Sequence, residues 1–166
     1  MALALAVPGA ACGSASEQGA RVHALVAFPR QDTVRFEAPA RARRCSGGTG
    51  KDGLLLQASA DGNGVILWLR GSGGGAPATG PWPLLQRGDT VSPRGATVGV
   101  RYMMKDVARG FTLDSGVVEV RATGAVLTMV ARGTGLETAA AGRVALEASF
   151  DEVPLEPDTV SCRTTL

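Results

Sequence analysis

A chain of 166 residues suits one domain with room for a sizeable core, and 23 glycines with 9 prolines suit short strands joined by turns better than helices. The 17 basic and 15 acidic side chains leave a net charge of +2, a balance that does not suggest a nucleic-acid partner, which needs a strongly basic face to displace counterions. Aromatic residues make up only 4%, so the core must be filled mainly by Val, Leu and Ala.

Residues 1–19 read MALALAVPGAACGSASEQG. Met1 to Val7 is apolar, Pro8 to Ala11 are small, and Cys12 opens a polar Gly/Ser/Glu/Gln run. This order resembles the end of a bacterial lipoprotein signal peptide, although Gly9 stands where a leucine is usual and no basic residue precedes the apolar run. The resemblance implies lipidation at Cys12 and a location on the periplasmic or extracellular face, tethered to the membrane. The apolar run is far short of the ~20 residues that cross a bilayer. We therefore read 1–19 as signal remnant and tether, and 20–166 as one domain. With Cys12 spent on lipid, Cys45 and Cys162 form an even pair in an oxidising compartment, so a disulfide is expected between them.

The first strand pattern is RVHALVAF, Arg21 to Phe28. It carries His23, the chain's single histidine, so triads that do not use His23 and multi-histidine zinc sites are excluded; a histidine on a strand is better read as a surface or packed residue. TVRFEAPARARR follows, with Val34 and Phe36 alternating with Arg35 and Glu37. Its close, Arg41, Arg43 and Arg44, reads as a solvated edge where arginines discourage edge-to-edge pairing. The glycine-rich stretch CSGGTGKDG, Cys45 to Gly53, departs from a phosphate loop, because Cys45 replaces the first glycine and Asp52 the magnesium-holding hydroxyl. No nucleotide is expected.

GLLLQASA and VILWLR are joined by Asp61-Gly62-Asn63-Gly64, a hairpin turn with the positive-φ residues such turns require. A calcium loop would need further ligands, including a closing glutamate. After the loop Ser72 to Pro81, Trp82 faces the question of Trp68 on the preceding strand: two tryptophans on a sandwich form a sugar-stacking platform if both are exposed. We expect Trp68 in the core and Trp82 half-exposed, and keep both as candidate ligand-binding residues. In ATVGVRYMM, Val98, Val100 and Tyr102 share a face, and Met103 and Met104 end the strand without a metal-binding cluster.

The strongest signal lies between Asp114 and Pro154. SGVVEVRA sets Val118, Val120 and Ala122 against Val117, Glu119 and Arg121; a turn at Thr123 and Gly124 follows, then AVLTMVAR. In RVALEASF, Val144, Leu146, Ala148 and Phe150 oppose Arg143, Ala145, Glu147 and Ser149. This period of two marks strands with one dry face and one wet face. Glu119 and Glu147 are the one acidic pair with a chemical reading, since two carboxylates flanking a bond hydrolyse glycosides; Arg121 and Arg143 nearby argue for a solvated face instead. Asp151 to Asp158, DEVPLEPD, reads as an acidic, proline-punctuated tail.

Four pieces together, GPWPL (80–84), VGVRY (98–102), DSGVVEV (114–120) and ASFDEVPL (148–155), resemble a group of poorly characterised bacterial secreted lipoproteins with an SGxVxV…GxFxxVP pattern. Ala148 stands for the glycine of that pattern and Trp82 for its usual tyrosine. The resemblance covers under half the chain, and implies an exported β-sandwich without supplying catalytic residues. The fold expected is an all-β antiparallel sandwich of about eight to ten strands, with a lipocalin-like closed barrel as the alternative. The function expected is a membrane-anchored, non-enzymatic binding or accessory module with a protein partner in the cell envelope and no cofactor. Carbohydrate or small-ligand binding, and a glycoside hydrolase, are the alternatives.

Overall fold

The computed structural model describes residues 19–29, 32–47, 52–73, 76–137 and 142–162; Cys12 and the rest of residues 1–18 fall outside them. The described residues form ten strands and no helix: β1 (Arg21–Ala27), β2 (Thr33–Ser46), β3 (Gly53–Ala60), β4 (Asn63–Arg70), β5 (Gly80–Pro83), β6 (Gly95–Met104), β7 (Val107–Thr112), β8 (Ser115–Thr123), β9 (Val126–Leu136) and β10 (Arg143–Ser161). Their order is β5-β8-β9-β10-β1-β2-β3-β4-β6-β7, with an added β10–β2 pairing. The strands build an open sandwich, and the barrel is not formed.

Two long strands hold the layers together. In the first sheet, the seven-residue β1 lies between β10 and β2, antiparallel to both, with Arg21 opposite Asp151 and Pro39. Beyond the start of β1 the flanking strands close on each other. Leu155, Glu156, Val160 and Ser161 of β10 then run parallel to Ala42, Arg43, Cys45 and Ser46 of β2 in the second sheet. There β2 also pairs with β3, from Ala40↔Ala58 to Cys45↔Gly53. Each long strand changes partner at a proline. Pro39 lies one residue before β2 meets β3, and Pro154 one residue before β10 meets β2. Proline cannot donate to a ladder, and these two occupy positions where a ladder is being exchanged.

The segment 151–161 is therefore strand and not tail. A register shift between Phe150 and Val153 lets β10 bend there, and Glu152, at φ 49°, is the bulged residue. A second shift, between Glu156 and Thr159, accommodates Pro157. The β3–β4 turn closes on Asp61 (φ 50°) and Gly62 (φ 79°), the paired positive angles of a two-residue hairpin. The β8–β9 turn falls on Gly124 and Ala125, one residue later than the pattern suggested. The short strands β5 and β7 carry too few alternating residues to be read from pattern alone.

The core lies between the sheets and follows the alternation. Val118, Val120, Val144, Leu146, Ala148 and Phe150 are buried from the first sheet, and Leu54, Leu56, Leu67, Val98 and Tyr102 from the second. Full burial of each Val, Leu or Phe side chain contributes about 1.5–3 kcal/mol. The apolar faces of ten strands thus supply the driving force that the few aromatic residues cannot. Tyr102 stands edge-on to Phe28 and Phe111, at 5.6 and 6.3 Å between centroids.

Cys45 and Cys162 are disulfide-bonded, with Cα atoms 4.8 Å apart and 117 residues between them in sequence. The bond ties the end of β2 to the residue that follows β10, at the far end of their parallel pair. Closing so long a loop stabilises the fold by about 5 kcal/mol in the chain-entropy model. Cys45→Ser with Cys162→Ser is expected to lower the denaturant midpoint by a corresponding amount without changing far-UV circular dichroism. Reductant is expected to reproduce that loss in the native chain and to leave the double variant unmoved.

Candidate functional site

The outer face of the first sheet is a lattice of charges set by cross-strand register. Arg132 and Glu147 are direct partners, and Arg132 Nη2 donates to Glu147 Oε1 at 2.9 Å. Arg143 pairs with Asp114 and not with Glu147. Glu119 and Glu147 do share this face, but β9 lies between their strands, and Glu119 is opposite Val130 while Glu147 is opposite Arg132. Two strand spacings and a two-residue offset separate their Cα atoms by about 12 Å. Both side chains are exposed. They do not flank a common cleft, so the carboxylate pair is not assembled.

His23 lies on the same face between β10 and β2. Its Nδ1 is 3.1 Å from Glu37 Oε1, and its Nε2 is 3.7 Å from Asp151 Oδ2. Ser149 is its cross-strand neighbour on β10, and the Ser149 hydroxyl contacts Asp151 Oδ2 at 3.4 Å. Serine, histidine and acid thus meet beside a shallow depression of about 560 Å³, also lined by Leu25, Arg35 and Glu147. The order of contacts is wrong for acyl transfer, since His23 Nε2 faces Asp151 and not the Ser149 hydroxyl. The backbone of Ser149 is flanked on both sides by β9 and β1, so its sheet neighbourhood offers no free N–H pair for an oxyanion. The cluster is a network of polar contacts on a solvated sheet face.

The two tryptophans exchange the roles expected of them. Trp82 is 1% exposed, its indole Nε1–H donates to the Ala78 carbonyl at 2.9 Å, and the Arg94 guanidinium covers its ring at 4.2 Å from the centroid. A large apolar side chain on a four-residue strand contributes most by entering the core. Trp68 lies half-buried on the outer face of the second sheet, against a separate small cluster of Leu55, Ile66 and the Cys45–Cys162 bridge. Gly53 makes room for it: a Cβ there would stand 3.0 Å from the indole Nε1 and would collide with the Leu69 carbonyl. With one ring inside and the other outside, no two-tryptophan platform exists.

A polar recess lies at the corner where β2 enters the second sheet. A groove of about 650 Å³ is lined by Arg41, Arg43, Gln57, Ser59, Arg101 and the Asp61–Gly64 turn. Arg43 donates to Gln57 Oε1 at 2.8 Å and pairs with Glu156 and Asp158 at 3.9 and 3.6 Å. Arg41 reaches Glu156 at 3.9 Å, and Arg101 has no ion pair or side-chain hydrogen bond among the described residues. Arg41, Arg43 and Arg44 read in sequence as a solvated edge. They instead stand inside the sheet, since their part of β2 is paired with β3 on one side and β10 on the other. The groove is missed by a linear reading because Arg101 and Arg41 come from strands that only the fold brings together.

Two buried polar groupings complete the picture. Arg70, 5% exposed, lies 4.9 Å from the Trp68 ring centroid, and its guanidinium donates to Asp89 Oδ1, Asp89 O and Ser92 O at 3.3, 2.7 and 3.0 Å. Across the core, Glu137 is 4% exposed, and Arg109 Nη1 approaches its Oε1 at 3.7 Å. Neither the Glu137 oxygens nor the Tyr102 hydroxyl meets a hydrogen-bond partner among the described residues. Burial, and then the Glu137 carboxylate, push the Tyr102 phenol above its ordinary value. The described residues contain no group of three or more His, Cys, Asp or Glu able to hold a metal ion.

No family model, curated protein or solved structure matches this chain.

The Asp89 carboxylate is held down to about 2 from 3.8, first by the Ser92 hydroxyl, then by the backbone N–H groups of Ser92 and Val91, against the opposing effect of burial; the Arg70 charge adds to the lowering. A depressed folded-state value stabilises the fold above 3.8, and that contribution is lost as pH falls towards 2. The melting-temperature difference between the native chain and Asp89→Asn is therefore expected to be constant at neutral pH and to shrink across this acidic window. A difference that stays constant through it would contradict the assignment.

Proposed function

We propose that this protein is an exported, non-enzymatic binding or accessory module, anchored to the membrane through a lipidated Cys12 and acting beside a protein partner in the cell envelope. The observation that carries the reading is the Cys45–Cys162 disulfide, since structural disulfides persist in oxidising compartments and are rare in the cytosol. The apolar-small-Cys12 order of residues 1–12 supplies the route to such a compartment. The ion-paired outer face of the first sheet suits contact with another surface better than it suits turnover. Intact-mass spectrometry on protein from the native membrane fraction is expected to show cleavage before Cys12 with added acyl mass, and a two-hydrogen gain on reduction. An unmodified Met1 chain with three free thiols would remove both export and anchoring.

The polar groove at the β2 corner favours a second reading, in which the module carries a small oxygen-rich anion. Its volume falls within the 300–1,000 Å³ range of ligand sites, and Arg101 and Arg41 present guanidinium groups suited to a carboxylate. Glucuronate as probe is expected to bind in calorimetry and to lose about tenfold or more in affinity in Arg101→Ala, since a hydrogen bond to a charged group is worth about 1.5–3 kcal/mol. Silence in the native chain would end this reading and leave the first untouched.

A further inference from the structure

The N-terminal half of β2 is an open sheet edge. Ala40 N–H donates to the Ala20 carbonyl and Phe28 N–H to the Asp32 carbonyl, so in the β1–β2 register the even-numbered residues of β2 bond to β1. The backbone groups of Arg35 and Glu37 consequently point the other way, towards the side that β3 occupies only from Ala40 onward. No strand lies there among the described residues. Two other described edges are blunted by proline. β5 carries Pro81 and Pro83 in four residues, and β10 beyond Pro154 carries Glu156, Pro157 and Asp158. The end of β7 is met by Gly135, where a Cβ would collide with the Thr112 carbonyl. Thr33 to Ala38, TVRFEA, has neither proline nor glycine.

We propose that two copies of this chain associate about a two-fold axis by pairing β2 antiparallel with β2 across this edge, centred on Phe36. The charge pattern selects that occupant and that register. Centring the axis on Phe36 sets Arg35 opposite the partner's Glu37 and Glu37 opposite the partner's Arg35. Each of these pairs consists of residues whose N–H and C=O groups face the edge, so each exchanges both backbone hydrogen bonds. Arg35 has no ion pair or side-chain hydrogen bond within the chain among the described residues. Glu37, more than half exposed, keeps its contacts with His23 and Arg21 on its own sheet while its outer side remains free. Phe36 faces the partner's Phe36 on the inner side of the sheet, where it and Val34 are only partly buried, and the pairing covers both. The groove beside Pro39 and Arg41 provides space next to the approaching strand. The interface is isologous, as a closed dimer requires, and it does not depend on export or on the lipid anchor.

The test is sedimentation equilibrium of the full chain carrying Cys12→Ser, so that neither lipid nor a third thiol contributes. The chain is expected to reach twice its own mass. Arg35→Glu and Glu37→Arg each place like charges opposite one another twice, and each is expected to weaken association by about tenfold or more. The double variant Arg35→Glu/Glu37→Arg recreates both opposite-charge pairs in the same register and is expected to recover the dimer. Thermal melts by circular dichroism separate loss of pairing from loss of fold. A native chain that stays monomeric throughout, single variants that associate normally, or a double variant that fails to recover would each overturn the proposal. So would a monomer that binds an unrelated strand peptide along this edge, which would assign the edge to a foreign partner.

Discussion

Everything in this sandwich depends on the early end of β1. A seven-residue strand is wedged between one of 14 residues and one of 19, and beyond its start the sides of the two long strands that faced it pair with each other. The change from antiparallel neighbours of β1 to a direct parallel pair carries both strands from one layer into the other. Parallel pairing is slightly weaker per residue than antiparallel, and this segment is interrupted at Pro157. The disulfide lies at the end of that segment, so the covalent bond reinforces an irregular ladder.

That corner also makes the two outer faces unlike one another. On the first sheet, charged side chains of opposite sign stand opposite each other in exposed pairs, each of which contributes modestly because water screens it. On the second, Trp68, Leu55 and Ile66 cluster against the disulfide, and Arg70 and the 86–94 loop close over one end. The second face is thus partly covered by its own chain, with the arginine groove open beside it. The buried Glu137 near Tyr102 and Arg109 links the end of β9 to β6 and β7 across the layers. A buried carboxylate favours having its cation nearby, which fixes how the ends of the two sheets meet.

Much of the fold is legible in alternation alone. Val144, Leu146, Ala148 and Phe150 are buried and Arg143 and Glu147 exposed, because a strand with one wet face shows its pattern in sequence. The acidic segment after Phe150 hid a strand because its bulge at Glu152 breaks the period of two and its prolines imitate a loop. The positions of the tryptophans are not legible, because burial of a large ring depends on the facing sheet, which neighbours in sequence do not reveal. The disulfide was legible from cysteine parity and an expected compartment. The groove and the His23 network were not, since their members meet only through register: Arg41 opposite Gln57, Gly64 opposite Arg101, His23 opposite Glu37.

The edges show how local chemistry governs what a sheet can join. A strand edge with proline lacks donors, and one bearing a single sign of charge repels a copy of itself. Arg35 and Glu37 differ in this respect from the arginines farther along β2, which are matched by Glu156, Asp158 and Gln57 within the chain. Opposite charges two residues apart lie on one face of a strand, and a two-fold axis through the residue between them brings each onto its complement. The same alternation that keeps this edge soluble in a single chain therefore makes it complementary to a second copy. Only the relative sign of the two charges decides between repulsion and pairing.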